Sequence, residues 1–407
     1  MRKIILSLLA LISLTVSAQF GAPRQNPIVP SVVENVTEDF KPASSNQDNK
    51  QYPMVNSQRM VRAKISAPDA KFVGLDIAGK IYTMTKDEKG DWVGTSEPQD
   101  EGFHYYQLNI DGASVPDPGS LYYYGASRWG SGIEIPSEDQ DFWQVKNVPQ
   151  GSMNEVFYYS TYTEKMRRCH VYLPNEYFTN PTKQFPVLYL QHGMGENEYG
   201  WAEQGHTAQI LDNLIAEGKA VPCIIVMDNG LNTRRPGEQP MGFGGPRPQG
   251  GQRPQGAPGQ GGPRRGGFGG FSEGFKNVLF NDIIPMVEKN YRVIADPQHR
   301  AYAGLSMGGM QAREITLANP EKFAYVGSFS SGAWNVDQVK ASEGFTKHVK
   351  LLFMSGGGKE NMGCEEAAKK IHDELGMNAV GYASPGTAHE WHTWRRSLYQ
   401  FAQLIFK

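Results

Sequence analysis

Apolar positions fall into two textures along the chain. Between residues 55 and 140 they form short runs such as Lys71-Phe72-Val73-Gly74-Leu75-Asp76-Ile77 and Phe103-His104-Tyr105-Tyr106-Gln107-Leu108-Asn109-Ile110, each closed by a turn signal such as Ala78-Gly79 or Asp111-Gly112. Short strands at this spacing predict a small all-β sandwich. From residue 154 onward the runs change. Val187-Leu188-Tyr189-Leu190, Ile224-Ile225-Val226-Met227, Ala301-Tyr302-Ala303 and Leu351-Leu352-Phe353-Met354 are apolar at successive positions, as strands buried on both faces require. Helix-period stretches near 207–217, 276–290, 308–318, 364–375 and 392–406 lie between or after them. The alternation predicts an α/β domain over 154–407 with a mainly parallel sheet covered on both sides. A linker is expected at 141–153.

Two segments lack either texture. Residues 19–54 are rich in Pro, Asn, Gln and Ser without periodicity, and read as a flexible leader. Residues 231–272 hold six arginines against one glutamate, much Gly, Pro and Gln, and no aliphatic run. Such a segment cannot bury enough apolar surface to order itself, so it reads as a disordered insertion in a surface loop. Its Arg-Gly texture also fits nucleic-acid modules or weak adhesion to acidic polysaccharide. Nucleic acid is not an expected partner, because the chain start points to export.

That start is Met1-Arg2-Lys3, an apolar stretch, and small residues up to Ser17-Ala18, the texture of a secretory signal peptide over 1–18 cleaved before Gln19. The expected location is periplasmic or extracellular, without stable membrane insertion. A formal net charge of −2 on 407 residues gives no global field toward charged partners. The three cysteines, Cys169, Cys223 and Cys364, are too few and odd in number for a disulfide framework and read as buried thiols.

Chemistry enters at Gly304-Leu305-Ser306-Met307-Gly308-Gly309, between a strand-like run and a helix-like one. Gly-x-Ser-x-Gly at such a junction is a nucleophile elbow: glycines two before and two after the serine permit the tight turn, and Ser306 is pushed out at the top of the sheet. A serine nucleophile needs a base, an orienter and an oxyanion site. The amide of Met307 is one oxyanion donor. The loop Gln191-His192-Gly193-Met194-Gly195 supplies the second, the amide of Met194. His192 sits too early to be the base and reads as a loop-fixing histidine. The base is expected after the last strand, in Pro385-Gly386-Thr387-Ala388-His389-Glu390-Trp391-His392. His389 lies in the loop and is preferred over His392, which the pattern places in the terminal helix.

These three segments, in this order, resemble carbohydrate esterase family one, which includes feruloyl and acetylxylan esterases and is similar to esterase D and the enterochelin esterases. The resemblance spans about 154–407 apart from the insertion and implies an α/β-hydrolase fold, Ser306 as nucleophile and His389 as base. The front half resembles a glycogen-binding-like, early-set immunoglobulin module, carried by Ala67-Pro68-Asp69-Ala70, Gly102-Phe103-His104-Tyr105-Tyr106 and Asp111-Gly112 with Asp117-Pro118. One departure concerns the acid. The family's Gly-x-x-Asp turn reads Gly358-Lys359-Glu360-Asn361 here, with asparagine where an aspartate belongs. Glu360 is the preferred substitute; Asn361, Glu365, Glu366 and Asp337 remain alternatives.

The tryptophans divide between core and site. Trp391 and Trp394 are expected under the base, Trp201 in an acyl or sugar pocket, and Trp92 and Trp129 either in the sandwich core or stacked on glycan. The resemblance implies an exported serine esterase acting on feruloyl or acetyl esters of xylan-type polysaccharide or oligosaccharide, with no metal or organic cofactor required. Other ester substrates, such as siderophore lactones, and a non-catalytic carbohydrate-binding relic are the alternatives; the missing aspartate is the ground for the latter.

Overall fold

A computed structural model describes residues 26–238 and 269–407. The expected signal peptide at 1–18 and most of the Gly/Arg-rich insertion lie outside the described residues.

Among the described residues the front half carries twelve strands. They are β1 (Ile28–Pro30), β2 (Lys41–Pro42), β3 (Met54–Val55), β4 (Met60–Ser66), β5 (Val73–Ile77) and β6 (Lys80–Thr83). Then follow β7 (Thr85–Lys86), β8 (Asp91–Pro98), β9 (Gly102–Ile110), β10 (Ala113–Val115), β11 (Tyr122–Gly125) and β12 (Arg128–Ile135). One sheet runs β1-β6-β5-β9-β12-β11 with β10 on β9; the other runs β2-β3-β4-β8-β7. Val61, Ala63 and Trp92 from the second sheet share one buried cluster with Leu75, Tyr106, Leu108 and Ile133 from the first. Alternate residues of facing strands thus close a two-sheet core. Trp92 belongs to it, its indole N–H donating to the Ala67 carbonyl at 2.9 Å.

The leader expected at 19–54 is corrected here. From residue 26 the chain is woven into this module: β1 pairs in parallel with β6 (Ile28 opposite Ile81), and β2 pairs with β3. Partners some fifty residues away supply the order that local periodicity did not announce.

The second half begins with the antiparallel hairpin β13 (Ser152–Ser160) and β14 (Lys165–Leu173), followed by α1 (Asn175–Thr179), β15 (Val187–Gln191), α2 (Thr207–Ala216) and β16 (Ile224–Asp228). After the insertion come α3 (Gly269–Val278), a π-helical turn, α4 (Ile284–Asn290), β17 (Arg300–Leu305), α5 (Met307–Ala318) and β18 (Tyr325–Phe329). The chain closes with α6 (Val336–Ala341), α7 (Phe345–His348), β19 (Leu351–Gly357), α8 (Cys364–Leu375), β20 (Ala379–Ser384) and α9 (Trp391–Ala402). The eight-stranded sheet has the order β13-β14-β16-β15-β17-β18-β19-β20, parallel from β16 to β20. The two ends of the expected insertion are ordered: Thr233 is buried and α3 starts at Gly269, so the boundaries of 231–272 are too wide. All three cysteines are buried and free. Among the described residues no helix is long and apolar enough to cross a membrane.

The segment expected as a linker is packed instead. Residues Gln140–Phe142 form a 3-10 turn, and Trp143 stacks on His206 at 4.7 Å with the Arg395 guanidinium 4.5 Å from its ring centre. Arg395 on α9 also forms a two-pronged ion pair with Glu134 of β12, at 2.8 and 3.0 Å, both side chains being almost wholly buried. Asp139 binds Arg396 and His392 of the same helix. The buried cluster on one side of the large sheet includes Phe103 and Trp143 together with Trp391, Trp394 and Leu398, so one core spans both halves.

Removing one partner of a buried ion pair strands the other charge without water or counterion. Glu134→Ala should therefore lower unfolding stability by about 3–5 kcal/mol, measured by urea titration. A change below about 1 kcal/mol, the range of exposed pairs, would show that the seam does not hold the halves together.

Candidate active site

Ser306 lies at the junction of β17 and α5 with φ of +50° and ψ of −114°. A non-glycine residue in that region stores roughly 1–3 kcal/mol. The surroundings hold it there: its amide donates to the Phe329 carbonyl at 2.7 Å, and its carbonyl accepts from the Met310 amide at 3.0 Å. Two glycines make the approach feasible. A Cβ on Gly304 would sit 2.5 Å from the Gly308 carbonyl carbon, and one on Gly308 would sit 2.6 Å from the carbonyl oxygens of Gln191 and His192. The elbow is thus pressed against the loop that follows β15. The start of α5 directs its unpaired amides and positive dipole end to the same place.

His389 reaches this serine from the loop after β20. Its Nε2 lies 3.0 Å from Ser306 Oγ and its Nδ1 lies 2.8 Å from Glu360 Oε1. Glu360 ends a 3-10 turn, Gly358–Glu360, directly after β19. Its other oxygen accepts from Ser330 Oγ at 2.6 Å and the Gly357 amide at 2.7 Å. Burial alone would raise this carboxyl, but the hydrogen bonds from His389, Ser330 and Gly357 prevail and hold it below the usual range. The acid turn and the histidine loop are also joined directly, through the Lys359 amide and the Thr387 carbonyl at 2.9 Å. Beneath the imidazole, the Trp394 ring meets it edge-on at 5.2 Å, Trp391 meets Trp394 at 5.0 Å, and Trp201 meets Trp391 at 5.4 Å. A hydroxyl, an imidazole and an ionised carboxylate in this order can perform nucleophilic acyl transfer.

The other residues singled out in the sequence divide as follows. Met307 opens α5 next to Ser306. Met194 follows Gly193, where an added Cβ would come within 3.3 Å of Ser306 Cβ, so the loop after β15 and the elbow are neighbours. His192 is buried, its Nδ1 2.7 Å from the Gly193 carbonyl and its Nε2 accepting from the Gly230 amide at 3.0 Å; burial lowers it to about 4. It fixes the loop. His392 is a separate case: wholly buried in α9 and lowered to about 4, first by burial and then by neighbouring Arg396, it faces Asp139 and not the serine. Asn361 is exposed and in a left-handed conformation, Glu365 and Glu366 lie in the first turn of α8, and Asp337 lies in the first turn of α6. None of these four is hydrogen-bonded to His389.

Trp201 is corrected. Its side chain is in the core, with its indole N–H donating to the Gln191 carbonyl at 3.0 Å and its ring against Phe329 and Trp391. It packs behind the loop after β15 and offers no exposed face to a substrate. The sequence pointed to the right loop but could not say which way the indole turns.

Three participants were missed. Ser330 holds the far oxygen of Glu360; its position in Phe329-Ser330-Ser331-Gly332, at the end of a buried strand, was the available signal. Glu196, three residues past Gly193, is buried and accepts from the Gly193 amide at 3.2 Å. Burial pushes its carboxyl up to about 8, against the pull of hydrogen bonds from Gly193, Tyr105 and Trp391. Ser127, in the β11–β12 turn of the front module, donates its amide to the Gly195 carbonyl at 2.7 Å and so touches the loop after β15. Among the described residues, no group of three or more His, Cys, Asp or Glu side chains is placed to hold a metal ion.

Comparison with known proteins identifies the family of the chain. The model of the putative esterase family matches residues 160–404, and the chain belongs to that family. An endo-1,4-beta-xylanase/feruloyl esterase from Xylanibacter ruminicola is 42% identical over 379 residues, covering 91% of this chain and 48% of the relative. The chain therefore spans about half the length of that relative. Among solved structures, the enterobactin esterase of Shigella flexneri aligns with a TM-score of 0.57 at 17% identity, covering 84% of this chain and 92% of the other. A ferulic acid esterase from Anaeromyces mucronatus aligns with a TM-score of 0.50 at 21% identity, covering 66% and 95%. At such identities these likenesses show the fold alone, an α/β-hydrolase-like fold with a mixed sheet.

The lowered Glu360 sets a pH window. A carboxyl depressed in the folded state stabilises above its unfolded value of about 4.3, and that contribution disappears as pH falls through the folded value. The stability gap between wild type and Glu360→Gln should be fully present at pH 6–7 and should shrink progressively as pH falls below about 4.3. Urea titrations across that range check this, and a gap that widens in acid would contradict the assignment.

Proposed function

We propose that the chain is an exported serine esterase that releases feruloyl groups from xylan-type polysaccharide or oligosaccharide. The observation that carries the chemistry is the unbroken series Ser306 Oγ, His389 Nε2 at 3.0 Å, and His389 Nδ1 to Glu360 Oε1 at 2.8 Å. His389 takes the serine proton as Ser306 attacks the ester carbonyl. The amides of Met307 and Met194 receive the developing oxyanion, and the ionised Glu360 stabilises the imidazolium. His389 then protonates the leaving sugar hydroxyl, and water releases the acid by the same route in reverse.

The choice of feruloyl rests on the 42% identical relative named an endo-1,4-beta-xylanase/feruloyl esterase; an acetyl group is the competing acyl unit. Export rests on the signal-peptide texture of Met1 to Ala18. The front module, whose sequence resembles a glycogen-binding-like immunoglobulin domain, is an integral part of the enzyme in this reading. A second reading, hydrolysis of siderophore lactones, draws on the likeness to an enterobactin esterase over both halves of the chain, which is a likeness of fold alone. The Glu360 carboxylate beside His389 weighs against a decayed, non-catalytic relic.

Purified protein should hydrolyse methyl ferulate faster than p-nitrophenyl acetate or a siderophore trilactone, and a fluorophosphonate should label it at Ser306. Ser306→Ala should abolish turnover of all three esters, and Glu360→Gln should lower kcat by up to about 10⁴-fold, as loss of a triad carboxylate does elsewhere. Wild-type turnover by Ser306→Ala would overturn the mechanism. A preference for the acetyl ester or the lactone would overturn the substrate assignment and leave the mechanism standing.

A further inference from the structure

Ester hydrolysis of this kind needs two loops at a fixed separation, one presenting Met194 and one presenting His389. A displacement of about 1 Å can cost on the order of 10²-fold in rate. Both loops lie beyond the ends of their strands, so the sheet's ladder does not set the distance between them. A side chain from the front module stands between their supports.

Tyr105 projects from β9, and its hydroxyl accepts from the Trp391 indole N–H at 3.1 Å and from Gln204 Nε2 at 2.7 Å. The Glu196 carboxyl stands beside this cluster, close enough that Tyr105 and Trp391 both pull its acidity against the effect of burial. Glu196 in turn accepts from the Gly193 amide at 3.2 Å, at the residue that abuts Ser306. On the other side Trp391 meets Trp394, whose ring edge carries the His389 imidazole. Glu196, Tyr105 and Trp391 are therefore neighbours in one buried cluster that lies between the loop after β15 and the support of the histidine.

We propose that Tyr105 and Glu196 are positioning residues for the esterase reaction proposed above, forming a buried brace across the seam that fixes the oxyanion loop relative to His389. The inference rests on that reaction. It gives the front module a catalytic duty separate from any glycan binding: a tyrosine of one half completes the active-site frame of the other. The chemistry of the brace suits its place. A carboxyl that burial keeps protonated near neutral pH adds no negative charge beside a site where an oxyanion must form.

The test uses the full-length protein with methyl ferulate and p-nitrophenyl acetate. Tyr105→Phe removes one oxygen and keeps the ring; Glu196→Ala removes the carboxyl; Glu196→Gln keeps a neutral hydrogen-bonding group of the same shape. The first two should lower kcat by about 10–100-fold on both esters, with KM changed less than about twofold. Glu196→Gln should restore kcat to within about threefold of wild type. The rate of fluorophosphonate labelling at Ser306, taken at a temperature where circular dichroism shows each variant folded, should follow kcat. Unchanged kcat in Tyr105→Phe, or a loss confined to KM, overturns the brace. Wild-type turnover by Ser306→Ala would instead overturn the reaction on which it rests.

Discussion

The structure depends on one unfavourable backbone conformation being held in place. Ser306 occupies a positive φ because its amide is captured by Phe329 on the neighbouring strand and because Gly304 and Gly308 let β17, α5 and the loop after β15 meet without Cβ atoms between them. The same compression exposes the hydroxyl, brings the α5 N-terminus to it, and sets Gly193 against it. The surrounding sheet is buried on both faces, which gives the strain something rigid to act against.

Two carboxyls near the site are tuned in opposite directions by their surroundings. Glu360 collects three hydrogen bonds, which hold its carboxyl below the usual range despite burial. Glu196 is enclosed more completely than its hydrogen bonds offset, and is raised to about 8. Both are glutamates in short turns after strands, so the difference comes from desolvation and donor count, not from residue type.

The seam between the halves is built from groups that are costly to separate. Arg395 and Glu134 are buried as a pair, Asp139 bridges Arg396 and His392, and aromatic rings from both sides share one core. All three side-chain links converge on α9, the helix that begins two residues after His389. A front module attached in this way behaves as part of the enzyme's frame.

The sequence by itself determined the features that local chemistry encodes. The elbow glycines around Ser306, the loop position of His389, the helix at 364–375 and the doubly buried strands of the second half follow from steric permission and periodicity, both of which act over a few residues. Glu360 was reachable because it lies one position from the expected aspartate and its longer side chain spans the gap. Tertiary structure alone decided what depends on partners distant in the chain. The order of residues 26–54 comes from pairing with strands further along. Trp201 turned inward, and His392 was claimed by Asp139, because neighbours over a hundred residues away offered them burial or charge. The roles of Tyr105 and Glu196 have the same origin. A lone tyrosine in a strand and a lone glutamate in a loop carry no local signal, since their meaning is a set of contacts that exists only once both modules are packed together.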